Sequence, residues 1–303
     1  MTSVAAVSAA RRSRVEVWSY DAAAGKDSVL RPAGSTTRSG DAIADRAYDN
    51  ANRVLDYYYS TFGRDGWDGQ GANARVLVHA SDSTNAYWVA DEQRIWFGDG
   101  DGTTMSHLGD AADVVAHEFT HAVIDHEVKL TTNYGQEGAL HESFADVMAT
   151  GVDGNWKIGE DVWTPATPGD ALRDLAHPVY SKMSDLPPWV TEVHKLADVP
   201  NHAAYLVATK VGGDTMRKIW YQAITTKLRN NSGFAGARDA TLAAAKTMFG
   251  ESSTQYAAVR DAWTAVGIDE HTPKNRDQTA GERAAARLQD AAAAIGAIPR
   301  VRA

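Results

Sequence analysis

Two histidines four residues apart stand within the apolar segment VVAHEFTHAVIDHE, residues 114–127. On a helix, residues at this spacing lie on one face with their Cβ atoms about 5–6 Å apart. Two imidazoles placed in this way can both bind one Zn²⁺ at about 2.0–2.1 Å. The segment therefore predicts a helix on which His117 and His121 are metal ligands. Chance occurrence of the pattern on a surface helix is the alternative, and the apolar surroundings disfavour it.

A catalytic zinc needs a third protein ligand and an open coordination position. Glu142, in the helix-like segment GALHESFADV, is the candidate for the third ligand. Asp146 follows four residues later on the same face and is predicted to accept the free N–H of a ligand histidine. Glu118, directly after the first histidine, is predicted to be the general base that takes a proton from a zinc-activated water.

Composition excludes several classes of function. The chain has 303 residues, of which 44% are apolar, and this is enough for one large domain or two smaller ones. A net charge of −9 argues against nucleic acid as a partner. The absence of cysteine excludes a thiol nucleophile and a cysteine metal site. No apolar run reaches the roughly 18 residues of a membrane span, and the N-terminus lacks the pattern of an ordinary signal peptide.

Hydrophobic periodicity predicts a strand-rich first third followed by helices. The interpretation divides the chain into an N-terminal extension (1–14), a β-rich lobe that ends in the HEFTH helix (15–128), a helical lobe (129–270), and a linker with an Ala-rich tail (271–303). The tail is predicted to be a solvated or loosely docked helix, with docking to a partner as the alternative. Helices are predicted at 41–63, 113–129, 137–152, 200–212, 214–227, 233–248 and 253–265, strands at 75–80 and within 85–98, a hairpin-like or mobile start at 14–40, and a long loop at 154–174.

Several separated stretches, in this order, resemble the thermolysin-like zinc metallopeptidases over residues 15–268. They include NAYW, GDGDG, DVVAHEFTHAV, GALHESFAD, IGEDVWTP, GDALR and PNHAAYL, and the start, VEVWSYDAAAG with LRPAG, resembles the protealysin-type branch. The resemblance implies an α+β fold of two lobes, β-rich and helical, with the active-site cleft between them. It also implies a secreted, monomeric endopeptidase that acts on proteins or peptides.

The resemblance further implies cleavage just before a large apolar side chain. The pocket for that side chain would contain Val114, Val162 and Leu172, with Arg173 beneath it. The substrate main chain would pair with Asn85 and with the backbone of Ala86, as with an edge strand.

By the same resemblance, His194 and a tyrosine, here Tyr134, would donate hydrogen bonds to the developing oxyanion. The chain departs from the family pattern around this histidine. Leu196-Ala197-Asp198 replaces an Asn-Ser-Gly run, and Trp189 stands where an aspartate would orient His194. Glu192 and Asp185 are the candidates to replace that aspartate. In addition, His141 replaces the asparagine that usually precedes the third zinc ligand.

The resemblance also implies a calcium site formed by Asp113, Asp153, Asn155 and Glu160. Lys157 stands where a second ion would need a carboxylate, so a single Ca²⁺ is predicted. The alternative is a solvated acidic surface without metal. Thr164 and Asp170 mark a weaker candidate for a further ion.

Two functions are consistent with the sequence. The first is an active zinc endopeptidase that uses Glu118. The second is a zinc-binding protein on a peptidase fold with weak or very narrow activity, in an effector, toxin-like or partner-binding role, because the surroundings of His194 are altered.

Overall fold

The structure, a computed structural model, describes residues 11–12, 14–21, 24–130, 134–230 and 232–273. The Ala-rich tail and most of the predicted N-terminal extension lie outside the described residues. In the part of the chain that the structure describes, no helix is long and apolar enough to cross a membrane.

A five-stranded mixed sheet forms the N-terminal part. Its strands are β1 (Val15–Asp21), β2 (Lys26–Arg31), β3 (Ala74–Ala80), β4 (Ala86–Val89) and β5 (Arg94–Gly98). They lie in the order β2–β1–β3–β5–β4, so β4 is at the edge of the sheet. The pairs β1–β3 and β3–β5 are parallel, and the pairs β1–β2 and β5–β4 are antiparallel. The hairpin-like start predicted from the sequence is the β1–β2 pair.

Helix α1 (Ala42–Phe62) packs on β1, β2 and β3. It begins at Asp41, whose carboxylate accepts hydrogen bonds from the N–H groups of Ile43 and Ala44 at 2.9 and 3.0 Å. It ends at Gly63, which takes the left-handed φ of 70° that glycine adopts without a steric penalty. These caps explain why the predicted bounds, 41–63, agree so closely with the structure.

Helices α2 (Ala112–Glu127) and α3 (Gly135–Asp153) form the centre of the molecule and pack extensively on each other. Both are buried along most of their length, and the buried residues include charged and polar side chains such as His117, Glu118 and Glu142. A buried hydrogen bond of 2.6 Å between the hydroxyls of Tyr58 and Thr120 attaches α2 to α1. The HEFTH segment is therefore rigidly embedded between the sheet layer and the helical part.

After α3, residues 154–192 are mostly loop and include a short ladder between β6 (Lys157–Ile158) and β7 (Arg173–Asp174) within the predicted long loop, and the described chain from residue 193 onward is mainly helical. The two short 3₁₀ turns of the described chain are Leu108–Asp110 and Met183–Asp185, and its remaining helices are α4 (Val193–Val211), α5 (Gly213–Thr226), α6 (Phe234–Phe249) and α7 (Thr254–Ala265). Helix α4 packs on α3 and α7, and α6 packs on α5 and α7.

The predicted start of α4 at residue 200 is wrong, because the helix begins about two turns earlier. Glu192 caps it by accepting hydrogen bonds from the N–H groups of His194 and Lys195 at 2.9 and 3.0 Å. Pro200 lies inside the helix. Proline is common in the first turn and rare further in, since it lacks the N–H that would bond to the carbonyl of residue 196, so the sequence pattern favoured a start at Pro200.

Candidate metal centre

Three side-chain atoms meet in a buried triangle between α2 and α3. His117 Nε2 lies 3.0 Å from His121 Nε2 and 3.1 Å from Glu142 Oε2. His121 Nε2 lies 3.5 Å from the same glutamate oxygen. The structure thus brings together the three residues that the sequence predicts as zinc ligands, and together they can hold a metal ion.

This triangle fits Zn²⁺. Ligand atoms about 2.0–2.1 Å from a tetrahedral zinc are roughly 3.3 Å from one another, close to the distances seen here. Two neutral imidazole nitrogens that both present lone pairs at 3.0 Å repel each other unless a cation or a proton lies between them. The donor set, two histidines and one carboxylate, is one that catalytic zinc sites use, with a further position left for water or substrate.

Asp146 supports the first histidine from behind. Its Oδ1 atom lies 2.8 Å from His117 Nδ1, and its two oxygens accept hydrogen bonds from Arg173 Nη2 at 2.7 Å and Nε at 2.8 Å. Asn201 Nδ2 donates a further hydrogen bond of 3.0 Å to Asp146. Burial alone would raise the pKa of Asp146, but Arg173 and His117 outweigh burial and hold the pKa well below its ordinary value.

A different set of residues lies behind the second histidine. His121 Nδ1 lies 2.6 Å from His141 Nδ1, and His141 Nε2 lies 3.1 Å from Asp125 Oδ1. Asp125 Oδ2 accepts a hydrogen bond of 2.9 Å from the indole N–H of Trp88 on β4. The asparagine position before Glu142 is therefore occupied by a histidine that contacts a candidate metal ligand directly.

Glu118 is buried beside the triangle, with 6% of its surface exposed. Burial raises the pKa of Glu118 to about 7, with Glu142 adding to the rise and His117 opposing it. A carboxylate with a pKa near neutrality is well suited to accept a proton and to return it.

His194 contacts the same oxygen of Glu142 as the two histidines of the triangle, with its Nε2 atom 3.2 Å from Glu142 Oε2. Its Nδ1 atom lies 2.6 Å from Glu192 Oε1, so Glu192 contacts His194, whereas Trp189 is 78% exposed. Burial lowers the pKa of His194, but Glu142 and Glu192 outweigh burial and raise it to about 9. Asp185, the other candidate partner, is engaged with Ser181 and Ser184.

The remaining predicted catalytic and main-chain-binding residues are at the boundaries of elements. Tyr134 is the half-buried residue that precedes α3. It is eight positions before Glu142, which corresponds to roughly 12 Å along a helix axis. Asn85 is exposed just before β4, and Ala86 is the first residue of that strand. Tyr134 as an oxyanion donor stays a prediction.

The predicted apolar pocket draws on three segments. Val114 and Val162 are buried members of the hydrophobic core, and Leu172 is half-buried and donates its N–H to the carbonyl of Ile158 at 3.0 Å. Arg173 follows directly in β7 and binds Asp146, as described above. Arg173 thus connects the segment predicted to line the pocket to the partner of a candidate zinc ligand.

A second acidic cluster lies at the start of α2, where carboxylate oxygens of Asp113, Asp153 and Glu160 come together. Burial raises the pKa of Asp113 to about 7, and Asp153 and Glu160 add to the rise. Among the described residues, Asp153 Oδ1 and Glu160 Oε2 are buried without a hydrogen-bond partner. Asn155 donates from its side-chain amide to Glu160, and its side-chain oxygen accepts from the N–H of Lys157. Unpaired buried carboxylate oxygens are a chemical fit for Ca²⁺.

The sequence interpretation did not identify four residues that the structure places at the centre: Trp88, Asp125, His141 as a contact of His121, and Asn201. A partial signal existed for Asp125, which stands four residues after His121 and so on the same helix face. The contact through His141 depends on how α2 and α3 pack, which spacing along one helix does not determine.

Two family models match the chain in sequence order. Residues 6–125 match the model described as "Thermolysin metallopeptidase, catalytic domain", and residues 131–268 match "Thermolysin metallopeptidase, alpha-helical domain". The first match contains His117 and His121, and the second contains Glu142.

Curated proteins with similar sequences are secreted or neutral proteases by name. The chain is 36% identical over 272 residues to an extracellular elastase of Staphylococcus epidermidis, covering 84% of this chain and 52% of the relative. It is 38% identical over 245 residues to the neutral protease NprE of Bacillus pumilus, covering 77% of this chain and 79% of the relative. The chain thus spans about half the length of the first relatives it matches, among them the elastase, and most of the length of NprE.

Among solved structures, the precursor of protealysin, a metalloproteinase from Serratia proteamaculans, is similar with a TM-score of 0.76. The sequences are 28% identical, and the match covers 84% of this chain and 88% of that chain. These likenesses confirm the predicted α+β fold with a sheet-containing N-terminal part and a helical C-terminal part.

Proposed function

This chain belongs to the thermolysin family of metallopeptidases, and on that basis we propose that it is a zinc-dependent endopeptidase. The observation that carries the proposal is the buried triangle of His117, His121 and Glu142, with Glu118 next to it. The names of the relatives, which are proteases and elastases, support the same activity.

His117, His121 and Glu142 would hold the zinc ion. When bound, Zn²⁺ supplies a Lewis acid for the scissile carbonyl and lowers the pKa of water in its remaining position. Glu118 acts as the general base that takes the proton from the attacking water and later delivers it to the leaving amine. Its raised pKa suits both directions of transfer.

His194 is the proposed electrostatic partner of the oxyanion. Glu192, which contacts Nδ1, raises the pKa of His194 and so favours the charged ring, whose Nε2–H can donate a hydrogen bond. A charged donor at this place stabilises negative charge as it develops on the substrate oxygen. Glu192 holds the ring through Nδ1 and so directs Nε2 toward the centre.

Substrate binding is proposed at the edge of β4 that pairs with no other described strand. Its other edge pairs with β5, so an extended peptide can add to the sheet beside Asn85 and Ala86. Val114, Val162, Leu172 and Arg173 would form the pocket for an apolar side chain just after the scissile bond. Cleavage of proteins outside the cell is proposed from the names of the extracellular relatives, and one structural Ca²⁺ from the cluster at the start of α2.

The decisive experiment is Glu118→Gln, with Glu270→Gln as a control for an exposed carboxylate. We expect Glu118→Gln to lower the rate of casein cleavage at least about 10²–10⁴-fold, the typical contribution of a general base, while one zinc per chain is retained. The control should keep wild-type activity. Undiminished cleavage by Glu118→Gln would refute the assigned mechanism.

The surroundings of His194 favour a second candidate, a zinc-binding member of the family with weak or very narrow activity. Trp189 is exposed at the position where the family would carry the carboxylate that orients His194. Glu192, which also caps α4, contacts His194 instead. Profiling cleavage of a peptide library with and without a chelator separates the two candidates. Zinc bound at one per chain without cleavage of any peptide would favour the second.

A further inference from the structure

Trp88, Asp125 and His141 form a continuous line of contacts that ends on His121. We propose that these three residues are positioning residues, which hold His121 in the tautomer and ring orientation that let its Nε2 atom bind a metal. The inference rests on the proposed zinc site and assigns roles to residues of this chain that do not touch the metal themselves.

One condition, metal binding by Nε2 of His121, determines which atom donates and which accepts in each hydrogen bond of the line. If Nε2 of His121 offers its lone pair to a metal, the ring proton must be on Nδ1, and Nδ1 donates to His141 Nδ1 at 2.6 Å. His141 then carries its own proton on Nε2 and donates it to Asp125 Oδ1 at 3.1 Å. The carboxylate of Asp125 is the final acceptor, because Trp88 can only donate to it.

The line joins three elements around the centre. Trp88 lies on the edge strand β4, Asp125 follows His121 by one turn of α2, and His141 directly precedes Glu142 on α3. His141 is 1% exposed, so no bulk water can replace it as the acceptor for His121. Loss of that acceptor leaves a buried N–H unpaired and frees the ring to turn.

A purely structural role for His141 is the competing explanation. Its ring lies nearly parallel to that of His121, with centroids 4.5 Å apart and an angle of 17° between planes, so it also fills space. A pair of variants of similar size separates packing from hydrogen bonding. His141→Asn keeps an acceptor oxygen near the position of Nδ1, and His141→Leu places a methyl group there.

The experiment measures the zinc dissociation constant of the full chain by competition with a chromogenic chelator. Removal of an outer partner of a metal-binding histidine typically costs about 10–100-fold in affinity, and we expect this loss in His141→Leu. We expect His141→Asn to remain within about threefold of the wild type. Thermal unfolding without zinc checks that both variants are folded, and the absorption spectrum with Co²⁺ in place of zinc reports the ligand geometry.

The far end of the line has its own matched pair. Trp88→Phe removes the N–H donor to Asp125 and keeps an aromatic ring, and we expect a smaller loss of zinc affinity, of about two- to tenfold. Trp96→Phe on the neighbouring strand removes an equivalent N–H, which donates to Glu92 at 3.0 Å, and should leave zinc affinity unchanged.

Equal zinc affinity of His141→Leu and His141→Asn would overturn the proposal, as would equal effects of the two tryptophan changes. A wild-type chain that binds no zinc would instead refute the zinc site itself. The two failures are therefore distinct in the same titration.

Discussion

Glu192 contributes to two interactions with the same carboxylate. It caps α4 through the N–H groups of His194 and Lys195, and it contacts the ring of His194 at 2.6 Å. The side chain of His194 is therefore fixed by the residue that also starts its helix. The two roles can be tested separately. Capping needs only an acceptor oxygen, whereas the effect on the pKa of His194 needs the negative charge of Glu192.

Glu192→Gln tests the charge while it keeps the shape of the side chain. Glu192 raises the pKa of His194, so removal of its charge must lower that pKa. His194 then loses its proton at a lower pH. We expect the alkaline limb of the kcat/KM profile to move to lower pH, with the acid limb unchanged. An alkaline limb that stays in place would show that His194 does not limit activity there.

At the residue scale, the sequence indicated which side chains lie together where a single helix defines the geometry, and their roles stay predictions. His117, His121 and the Glu142–Asp146 pair were identified by spacing of four on predicted helices. The partner of His194 could be narrowed only to two candidates, Glu192 and Asp185, since the contact depends on where α4 begins. The line through His141 involves β4, α2 and α3 together and was not predicted.

At the scale of elements, the start of α1 combines a helix cap with an ion pair. Asp41 caps the helix with one oxygen and contacts His79 Nε2 with the other at 3.0 Å, while His79 Nδ1 lies 2.7 Å from Asp99. Burial lowers the pKa of His79, but Asp99 and Asp41 outweigh burial and raise it. The arrangement joins α1 to the end of β3 and to the loop after β5.

Asp41→Ala should destabilise the protein by about 1–2 kcal/mol, because it removes the cap and the ion pair. Asp41→Ser restores a capping oxygen without the charge, so the remaining deficit measures the contact with His79. A raised folded-state pKa stabilises the protein below the unfolded pKa of His79, and this contribution is lost as pH rises through the folded value. Urea unfolding should therefore show that Asp41→Ser is less stable than the wild type at about pH 5–6, and that this difference in stability is smaller at higher pH. A deficit independent of pH would contradict the ion pair.

Among the elements, α1 and β3 were predicted almost to the residue and α4 was not. Asp41 and Gly63 mark the ends of α1 with strong local signals, and the alternation of residues 75–80 marks β3. In α4, the capping residue is a glutamate and the proline comes two turns later, so local preference indicated a different start. Packing of α4 on α3 outweighs the local preference.

At the scale of the whole molecule, α2 connects the two candidate metal sites. Asp113 at its start contributes to the acidic cluster, and His117 one turn later contributes to the triangle. A cation at the cluster would join α2 to Asp153, the last residue of α3, and to Glu160 in the loop that follows. The same two helices therefore contribute to both sites. A cation that stabilises the acidic cluster would also stabilise the positions of the candidate zinc ligands.

The effect of calcium on stability should depend on pH. Burial raises the pKa of Asp113 in the folded protein to about 7, above its ordinary value, and Asp153 and Glu160 add to the rise. Without a cation, the stabilisation gained from this proton is present at low pH and is lost as pH rises through about 7. Calcium takes the place of the proton, so its effect grows over the same range.

We expect the rise in Tm on addition of Ca²⁺ to be small at about pH 5 and to increase between about pH 6 and 8, with zinc held constant. Asp153→Asn should reduce the rise at the higher pH. A rise of equal size at both ends of the range would indicate that the cluster is not the binding site.

The two-part architecture was predicted from the change between strand-like and helical periodicity, and it is confirmed. The short ladder between β6 and β7 was not predicted, since two residues per strand give no periodic signal. It brings Arg173 to Asp146 and so completes the surroundings of His117. Long-range contacts of this kind are determined by the assembled fold.

The hydrogen bond from Trp88 to Asp125 gives the protein a built-in reporter. The chain contains nine tryptophans, and each indole N–H yields one cross-peak in a proton–nitrogen correlation spectrum. The peak that disappears in Trp88→Phe identifies the proton that donates to Asp125, whose carboxylate is two contacts away from His121. During a metal titration, the chemical shift of this peak would report changes at His121 that are transmitted through His141 and Asp125. No label needs to be attached to the site.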